Sequence, residues 1–488
     1  MINCLLVSGS KTVGGFEYFL RIPSGGLASI AGNADRTICD IKIIDLVAVQ
    51  RKAVKYFTKY ITRNRFDVIG FSSMIFQYSE ILELAKITKA VSPGSTTILG
   101  GYYPTVNYSG MPAGELKFFD FIIRGEGEKA FALLIEALNN KTGYSTIPNL
   151  SYRRESEFIH NECGPLIDLN TLKLPDRSCR VLKKGFYYLN NRVESIETSR
   201  GCTYNCSFCS ITRMYGRSYR QFPIERIIED IKDARNRGAK AVFFIDDNIT
   251  INTKHLEDLC NAIIANKLDR IKYFMQASVK GLYENPHLYN LLGRAGFESV
   301  FIGIEADEND ILGFFNKENQ FDITKVEKVI NGLKNENIFV LGGFIFGLPD
   351  DDREKMLKRY EYSKSIGLDF IIFNSLTPYP GTQLREELIA GNYISNLSDY
   401  SKYDCYHMNV RTKHLGTKEL FAIFDSIIHS YTVDSKAIYR IIKRFPLFFI
   451  KASVKFLFLH PDMVFHHLTQ GRFLDKERFN RTETEWGN

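Results

Sequence analysis

Short apolar runs of β character alternate with helical stretches from residue 196 onward, at residues 196–198, 241–246, 273–277, 299–305, 340–346 and 370–376. Six strands with intervening helices predict a parallel sheet curling into a partial (β/α)6 barrel. Ahead of them, runs at residues 3–8, 41–45, 67–72, 97–99 and 121–123 alternate with helical patterns such as 49–62 and 79–91. That half predicts an open, doubly wound parallel sheet. The expected fold class is therefore α/β, with a doubly wound domain over residues 1–140 and a barrel over 191–385. Residues 141–190 carry Gly, Pro, Asn and charge with little periodicity and read as linker, and residues 386–488 read as a mainly helical C-terminal extension.

A chain of 488 residues has room for three ordinary domains. Its net charge of +7 is too mildly basic to argue for nucleic acid. Nine cysteines, scattered except for one triplet, suit a reducing cytoplasm. The N-terminus enters a strand without a charged leader, which fits the same location. The tail is less ordinary, because basic residues and phenylalanines interleave from 436 to 478. Its apolar run, 445–459, contains Pro446, Lys451 and Lys455, and falls short of the about 20 apolar residues of a membrane span. Two readings of that run stand: a helix lying in a membrane surface, or a helix packed on the barrel with its lysines outward.

The candidate chemistry begins in the run Ser199-Arg200-Gly201-Cys202-Thr203-Tyr204-Asn205-Cys206-Ser207-Phe208-Cys209. Cys202, Cys206 and Cys209 supply three thiolates and no fourth ligand follows nearby, whereas a structural zinc site wants four. Three thiolates suit a four-iron cluster with one iron left open to a small molecule. Polar residues close the barrel strands, where ligands of parallel sheets bind. They are Asp246, Asp247 and Asn248 after the second, Gln276 and Ser278 at the third, Gly303 and Glu305 at the fourth, and Gly343 in the fifth.

At these residues the chain resembles the radical S-adenosylmethionine (radical SAM) superfamily, whose motif is Cys-x3-Cys-x2-Cys with an aromatic residue, here Phe208, before the last cysteine. The resemblance implies a 4Fe–4S cluster on Cys202, Cys206 and Cys209 that cleaves SAM to a 5′-deoxyadenosyl radical. It implies that Asp246, Asp247 and Asn248 meet the SAM ammonium, and that Gln276 and Glu305 lie around the ribose. Ser278, Gly303 and Gly343 complete the implied SAM site. The first domain resembles the cobalamin-binding domain that precedes many such barrels, through Gly26, Ser72, Ser73, Gly100, Gly101, Tyr103, Gly125 and Glu126. The Asp-x-His-x-x-Gly signature is missing and Tyr103 stands where a histidine is common, which leaves two readings, a corrinoid held without a protein histidine on cobalt or a degenerate domain that has lost the corrinoid.

The group resembled includes the anaerobic magnesium-protoporphyrin ester cyclase and hopanoid-modifying enzymes. It implies methylation of an unactivated carbon in a hydrophobic small molecule: a lipid, isoprenoid, tetrapyrrole or natural product. It also implies an external flavodoxin- or ferredoxin-type electron donor. Radical cyclisation or rearrangement is the alternative chemistry, and a corrinoid- or SAM-binding sensor the alternative class. Cys405 follows the barrel, where family members close the site over substrate, and is a candidate hydrogen donor or base.

Overall fold

The computed structural model describes residues 1–12, 19–155, 157–318, 320–446 and 450. Its strands are β1 (Ile2–Ser8), β2 (Leu20–Arg21), β3 (Cys39–Asp45), β4 (Val68–Ser72), β5 (Thr96–Gly100), β6 (Phe121–Ile123), β7 (Leu150–Arg154) and β8 (Glu157–His160), then β9 (Tyr187–Tyr188), β10 (Asn191–Ile196), β11 (Ser199–Arg200) and β12 (Arg220–Gln221). The barrel continues through β13 (Ala241–Phe244), β14 (Lys272–Ala277), β15 (Phe297–Glu305), β16 (Phe339–Phe346) and β17 (Phe370–Ser375).

The first sheet runs β3-β1-β4-β5-β6-β7-β8, parallel as far as β6. Helices cover both of its faces, so β1 and β4 are nearly continuous apolar runs. One core, around Leu27, Ile41, Phe131 and Leu134, fills one face. A second, around Phe57, Phe71, Tyr78 and Phe119, fills the other. The second sheet runs β17-β16-β15-β14-β13-β10, all parallel, and is extended antiparallel by β9 and β2. Its concave face carries Val193, Phe243, Phe274, Phe301 and Leu341.

The α/β class and both parallel sheets follow the sequence pattern; three details differ. The stretch read as linker contributes the hairpin β7–β8 to the edge of the first sheet, where Phe121 faces Tyr152. Its strands carry charge because an edge hairpin buries little. The first barrel strand occupies Asn191–Ile196 rather than 196–198. Arg192 and Glu194 broke its apolar signal, although Glu194 is buried by ion pairs. Finally, Leu20 and Arg21, from the first domain's opening loop, pair with Tyr188 and Tyr187 in the barrel sheet.

After the barrel, helix Thr417–Thr432 packs Phe424 on Phe346 and Tyr431 on Phe373. A separate unit begins at Thr432 and contains helix Ser435–Arg444, capped by the Asp434 side chain. The run expected to lie in a membrane surface or on the barrel falls, apart from residues 445, 446 and 450, outside the described residues. No described helix is long and apolar enough to cross a membrane.

The two sheets are joined by a buried ion cluster. Arg200 bonds Glu126 at 2.9 Å and Glu128 at 2.7 Å from the first domain, and Glu197 at 2.8 Å from the barrel. Arg220 adds a bond to Glu126 at 3.0 Å, and Ser29 donates to Glu128 at 2.7 Å. Burial pushes the Glu128 carboxyl up, but Arg200 and Ser29 outweigh it and hold the group below its ordinary 4.5. Removing one partner of such a cluster strands buried charge. Arg200→Met is expected to cost about 3–5 kcal/mol at pH 7, read from urea unfolding. A carboxyl with a lowered folded pKa contributes stability above its unfolded value, lost as pH falls through the folded one. The gap between native protein and variant is therefore expected to be full at pH 7 and to shrink below about pH 4.5.

Candidate functional site

β11 ends at Arg200, and the chain turns at once through Gly201, with φ of 88°. A Cβ there would stand 2.3 Å from the Ser218 carbonyl oxygen, so the turn requires glycine. The thiol loop that follows is pinned from several elements. Gly201 donates its N–H to Asp247 Oδ2 at 3.0 Å, and Ser207 its N–H to the Phe315 carbonyl at 3.0 Å. The Ser207 carbonyl accepts from Leu384 N at 3.0 Å, and Phe208 meets Phe315 edge-on at 5.1 Å.

Cys202, Cys206 and Cys209 are partly buried on this loop. Burial pushes the Cys202 thiol up to about 11 and the Cys209 thiol up to about 12. Gln320 Nε2 donates to Cys206 Sγ at 3.2 Å, and the Asn248 side chain bonds the Cys202 thiol. Among the described residues no three His, Cys, Asp or Glu side chains form a single-ion site. Three thiols spread along a pinned loop fit a multi-iron cluster, whose irons are separate attachment points.

The strand-end residues divide into two kinds. Asp246 is buried, accepting from Thr198 Oγ1 at 2.6 Å and from Ser199 Oγ at 2.5 Å. Burial raises its carboxyl to about 7. Both hydroxyls fall on Oδ1, which positions the loop, while among the described residues Oδ2 accepts only the Thr198 N–H, at 3.2 Å. Ser278 is likewise used, capping the next helix at Gly281 N and sharing a bond with Thr250 at 2.9 Å. Gln276 reaches only the Asp246 carbonyl, at 3.4 Å. Asp247 keeps one oxygen beyond its bond to Gly201, and burial raises it to about 6.

Glu305 sits at a slip in the β15–β16 register with φ of 65°. Its Oε2 lies 3.1 Å from Lys317 Nζ without a directed hydrogen bond, which leaves lone pairs for a ligand's hydroxyls. Lys317 also donates to the Gly303 carbonyl at 3.1 Å. Gly303 and Gly343 lie side by side in register on β15 and β16. A Cβ on Gly303 would meet Glu305 Oε1 at 2.5 Å, and one on Gly343 would meet Phe301 Cζ at 2.8 Å.

From the first domain, helix Tyr102–Asn107 packs on helix Ile211–Tyr215, which follows the thiol loop. The Tyr102 hydroxyl is buried without a hydrogen-bond partner, in the field of Cys209 and Asp247. Gly101, with φ of 92°, permits this approach, since a Cβ would lie 2.8 Å from Ser73 N. Ser73 O accepts from Tyr103 N at 2.9 Å, and Ser73 N donates to Gly100 O at 3.0 Å. Ser72 stands beside Gly101, its Oγ 2.9 Å from where that Cβ would be.

Tyr103 is turned into the core, its ring 4.2 Å from Tyr78 and its hydroxyl bonded to Asn107. Gly125 donates to Thr105 Oγ1 at 2.9 Å, and Glu126 is consumed by Arg200 and Arg220. A Cβ on Gly26 would meet nothing within 4 Å, so open space faces the start of helix Gly25–Asn33. That space and the unpartnered Tyr102 hydroxyl suit a large flat cofactor lying after the first sheet's strands.

Cys405 has φ of 62°, and its carbonyl accepts from Ser375 N at the end of β17. Its thiol lies 3.1 Å from the Tyr379 hydroxyl, and burial pushes both groups up. Tyr379 in turn lies in the field of Tyr102. Lys317 and Gln320 are candidate site residues that sequence reasoning missed. Tyr102 and Tyr379 fall in the runs 100–105 and 377–382 that follow strands, where the sequence does carry a signal, though neither tyrosine stands out within its run.

Comparison with known proteins agrees with this layout. Residues 196–362 match the radical SAM superfamily and residues 13–135 match the B12 binding domain. The chain is 28% identical over 437 residues to an uncharacterised methyltransferase of Pyrococcus horikoshii, covering 89% of this chain and 93% of that protein. It is 28% identical over 401 residues to hopanoid C-3 methylase of Methylococcus capsulatus, covering 81% of this chain and 74% of that protein. The fold is shared with the radical S-adenosylmethionine methyltransferase TsrM from Kitasatospora setae, solved with cobalamin and a 4Fe–4S cluster. That likeness has a TM-score of 0.69 at 16% identity, over 88% of this chain and 91% of that chain.

Anaerobic reconstitution is expected to load about four irons per chain. Replacing Cys202, Cys206 and Cys209 together with Ala is expected to abolish them, checked by iron analysis and visible absorbance. Gly201→Ala keeps every thiol but forces the loop off Ser218, and is expected to lower iron occupancy with the fold retained by circular dichroism.

Proposed function

Because the chain belongs to the radical SAM enzymes that carry a B12 binding domain, we propose that it methylates an unactivated carbon of a hydrophobic small molecule. The observation that carries this reading is the approach of the two domains beside the thiol loop, where helix Tyr102–Asn107 packs on helix Ile211–Tyr215, two residues after Cys209. A methyl donor held in the first domain and a radical formed in the second would meet there. Support for a hydrophobic substrate comes from the apolar barrel interior, where Phe243, Phe301 and Leu341 stay only partly buried against the core that Tyr188 and Phe186 form with Phe274. The name of the hopanoid methylase relative points the same way.

When bound, the cluster and SAM supply a hydrogen-abstracting radical and cobalamin supplies a transferable methyl group. The chain's own residues do the positioning. Cys202, Cys206 and Cys209 would hold the cluster. Asp247, through its remaining oxygen, would accept from the SAM ammonium. Glu305, balanced by Lys317, would accept from ribose hydroxyls. Asp246 holds the loop through Thr198 and Ser199. The glycines of β15 and β16 let a flat base approach the backbone. Gly26, Ser72, Ser73, Gly100 and Gly101 would line the corrinoid, while Glu126 fixes the domain that carries it. Burial under the first domain excludes water from a reactive radical. The electron for this step would come from an external flavodoxin- or ferredoxin-type donor.

One observation favours a second reading, radical cyclisation or rearrangement. The Cys405 thiol against Tyr379 is a hydrogen donor of the kind such a reaction uses and a methyl transfer does not require. Labelled methyl separates the two. With reductant and SAM labelled on its methyl group, methylation is expected to yield deoxyadenosine and S-adenosylhomocysteine in comparable amounts and to label a product extracted from the native host. Deoxyadenosine with consumed substrate and no S-adenosylhomocysteine would overturn it. Under methyl transfer, Cys405→Ala is expected to keep that product ratio; under the second reading it would stop turnover after radical formation.

A further inference from the structure

On the outward face of β10, away from the concave barrel interior, lies a cavity of about 210 Å³. It is lined by five basic residues, Arg177, Arg180, Lys183, Arg192 and Arg237, and one acidic residue, Glu194. Strand alternation explains the location. Val193 faces the apolar interior, so Arg192 and Glu194 face out, toward the segment that links the two sheets.

The two buried arginines of that segment differ. Arg177 spends its whole fork inside the protein: Nε on Glu194 at 3.3 Å, Nη1 on Asp230 and on Asp233 at 3.2 Å, and Nη2 on the Ser195 carbonyl at 3.0 Å. Arg180 does not. Its Nη1 alone serves both oxygens of Glu194, at 2.8 and 2.6 Å. Its Nε and Nη2 are buried and make no hydrogen bond, in a residue only 5% exposed.

A buried cationic donor without a partner is costly, and the Nε–Nη2 edge is the fork that takes a carboxylate or phosphate through two parallel bonds. The acids nearby do not meet this demand. Asp230 pairs with Arg177, Asp233 is shared between Arg177 and Arg237 at 2.9 Å, and Glu194 lies on the other side of the guanidinium. Asp45, which lies in the field of Arg180, is occupied by Ser8 and Ser24. Lys183 and Arg192 add positive charge and have no ion pair with any described residue.

We propose that this cavity is a binding site for a free oxyanion, a phosphate or a small carboxylate, steered by Lys183 and Arg192 and held bidentately once the occluded Nε–Nη2 edge of Arg180, which now lies against Phe186, turns into it. The cavity has room for about seven water molecules at about 30 Å³ each, enough for an inorganic phosphate and not for a nucleotide. The site is separate from the thiol loop, which follows the opposite, carboxyl end of β10. An occupant would tie together β10, helix Ile224–Asn236 and the segment whose Val181 N–H bonds the Ile43 carbonyl of β3. Its consequence is stabilisation of the joint between the two sheets.

The test is thermal unfolding of the full-length, cluster-reconstituted protein in sodium phosphate against sodium chloride at matched ionic strength. Phosphate is expected to raise Tm by a few degrees and to saturate. Lys183→Gln with Arg192→Gln removes two partly or fully exposed charges and is expected to keep the basal Tm while weakening phosphate binding about tenfold. Arg180→Gln is expected to abolish it; should that variant fail to fold, the double variant carries the test. No shift beyond matched chloride, or equal phosphate affinity in the double variant, would overturn the proposal. Competition by hydroxocobalamin, which carries its own phosphodiester, would overturn it too, by assigning the guanidinium to the corrinoid. These outcomes are independent of whether the enzyme transfers methyl groups.

Discussion

Arg200 is the residue on which the arrangement of the molecule turns. It is buried between two carboxylates of the first domain and one of the barrel, two positions before the first thiol of the loop. A cation withdrawn from water gains little net stability from its partners, because desolvation consumes most of the attraction. What such a cluster does supply is a unique geometry, since any displacement leaves several charges unpaired at once. Here the geometry is handed directly to Gly201, whose left-handed turn and close contact with Ser218 admit no other residue. The orientation of the first domain and the course of the thiol loop are thus set by one continuous piece of backbone.

The Gly125-Glu126-Gly127-Glu128 run shows how position can mislead. After a strand in a doubly wound domain, glycines and a carboxylate suit a cofactor loop. The partners that claim Glu126 and Glu128 come from residues 200 and 220, far along the chain, and no local pattern announces them. The same holds for Asp246, whose oxygens are taken by Thr198 and Ser199 from the neighbouring strand end. Strand-end carboxylates in this barrel divide between positioning and ligand-facing roles, and the division depends on which neighbours arrive first.

Much of the architecture was legible because it rests on local signals. Apolar runs such as those of β4, β6 and β16 are buried on both faces, and the Cys-x3-Cys-x2-Cys spacing is compact enough to read directly. The first barrel strand was misplaced because Arg192 and Glu194 look like surface residues until Arg177 and Arg180 are known to cover Glu194. Lys317 and Gln320 escaped for a similar reason. They sit in an irregular stretch after a short helix, and only folding brings them to Glu305 and Cys206. Tyr102 and Tyr103 illustrate the limit most clearly: adjacent in sequence and alike in chemistry, one faces the thiol loop and the other the core.

A reaction that uses two cofactors from two domains needs them aligned to within about an ångström, because misplacement on that scale costs about a hundredfold in rate. A flexible linker could not hold such an alignment, and residues 141–190 are not one. Part of that stretch forms a hairpin on the first sheet, part buries Arg177 and Arg180 against β10, and part pairs as β9 with both β10 and β2. Because β2 comes from the opening loop of the first domain, the chain crosses between the sheets in both directions. Three covalent crossings and a buried ion cluster leave little freedom for hinge motion between the parallel sheets. Access for substrate therefore falls to the segments that cap the barrel's carboxyl ends, where Tyr379 and Cys405 lie, rather than to separation of the domains.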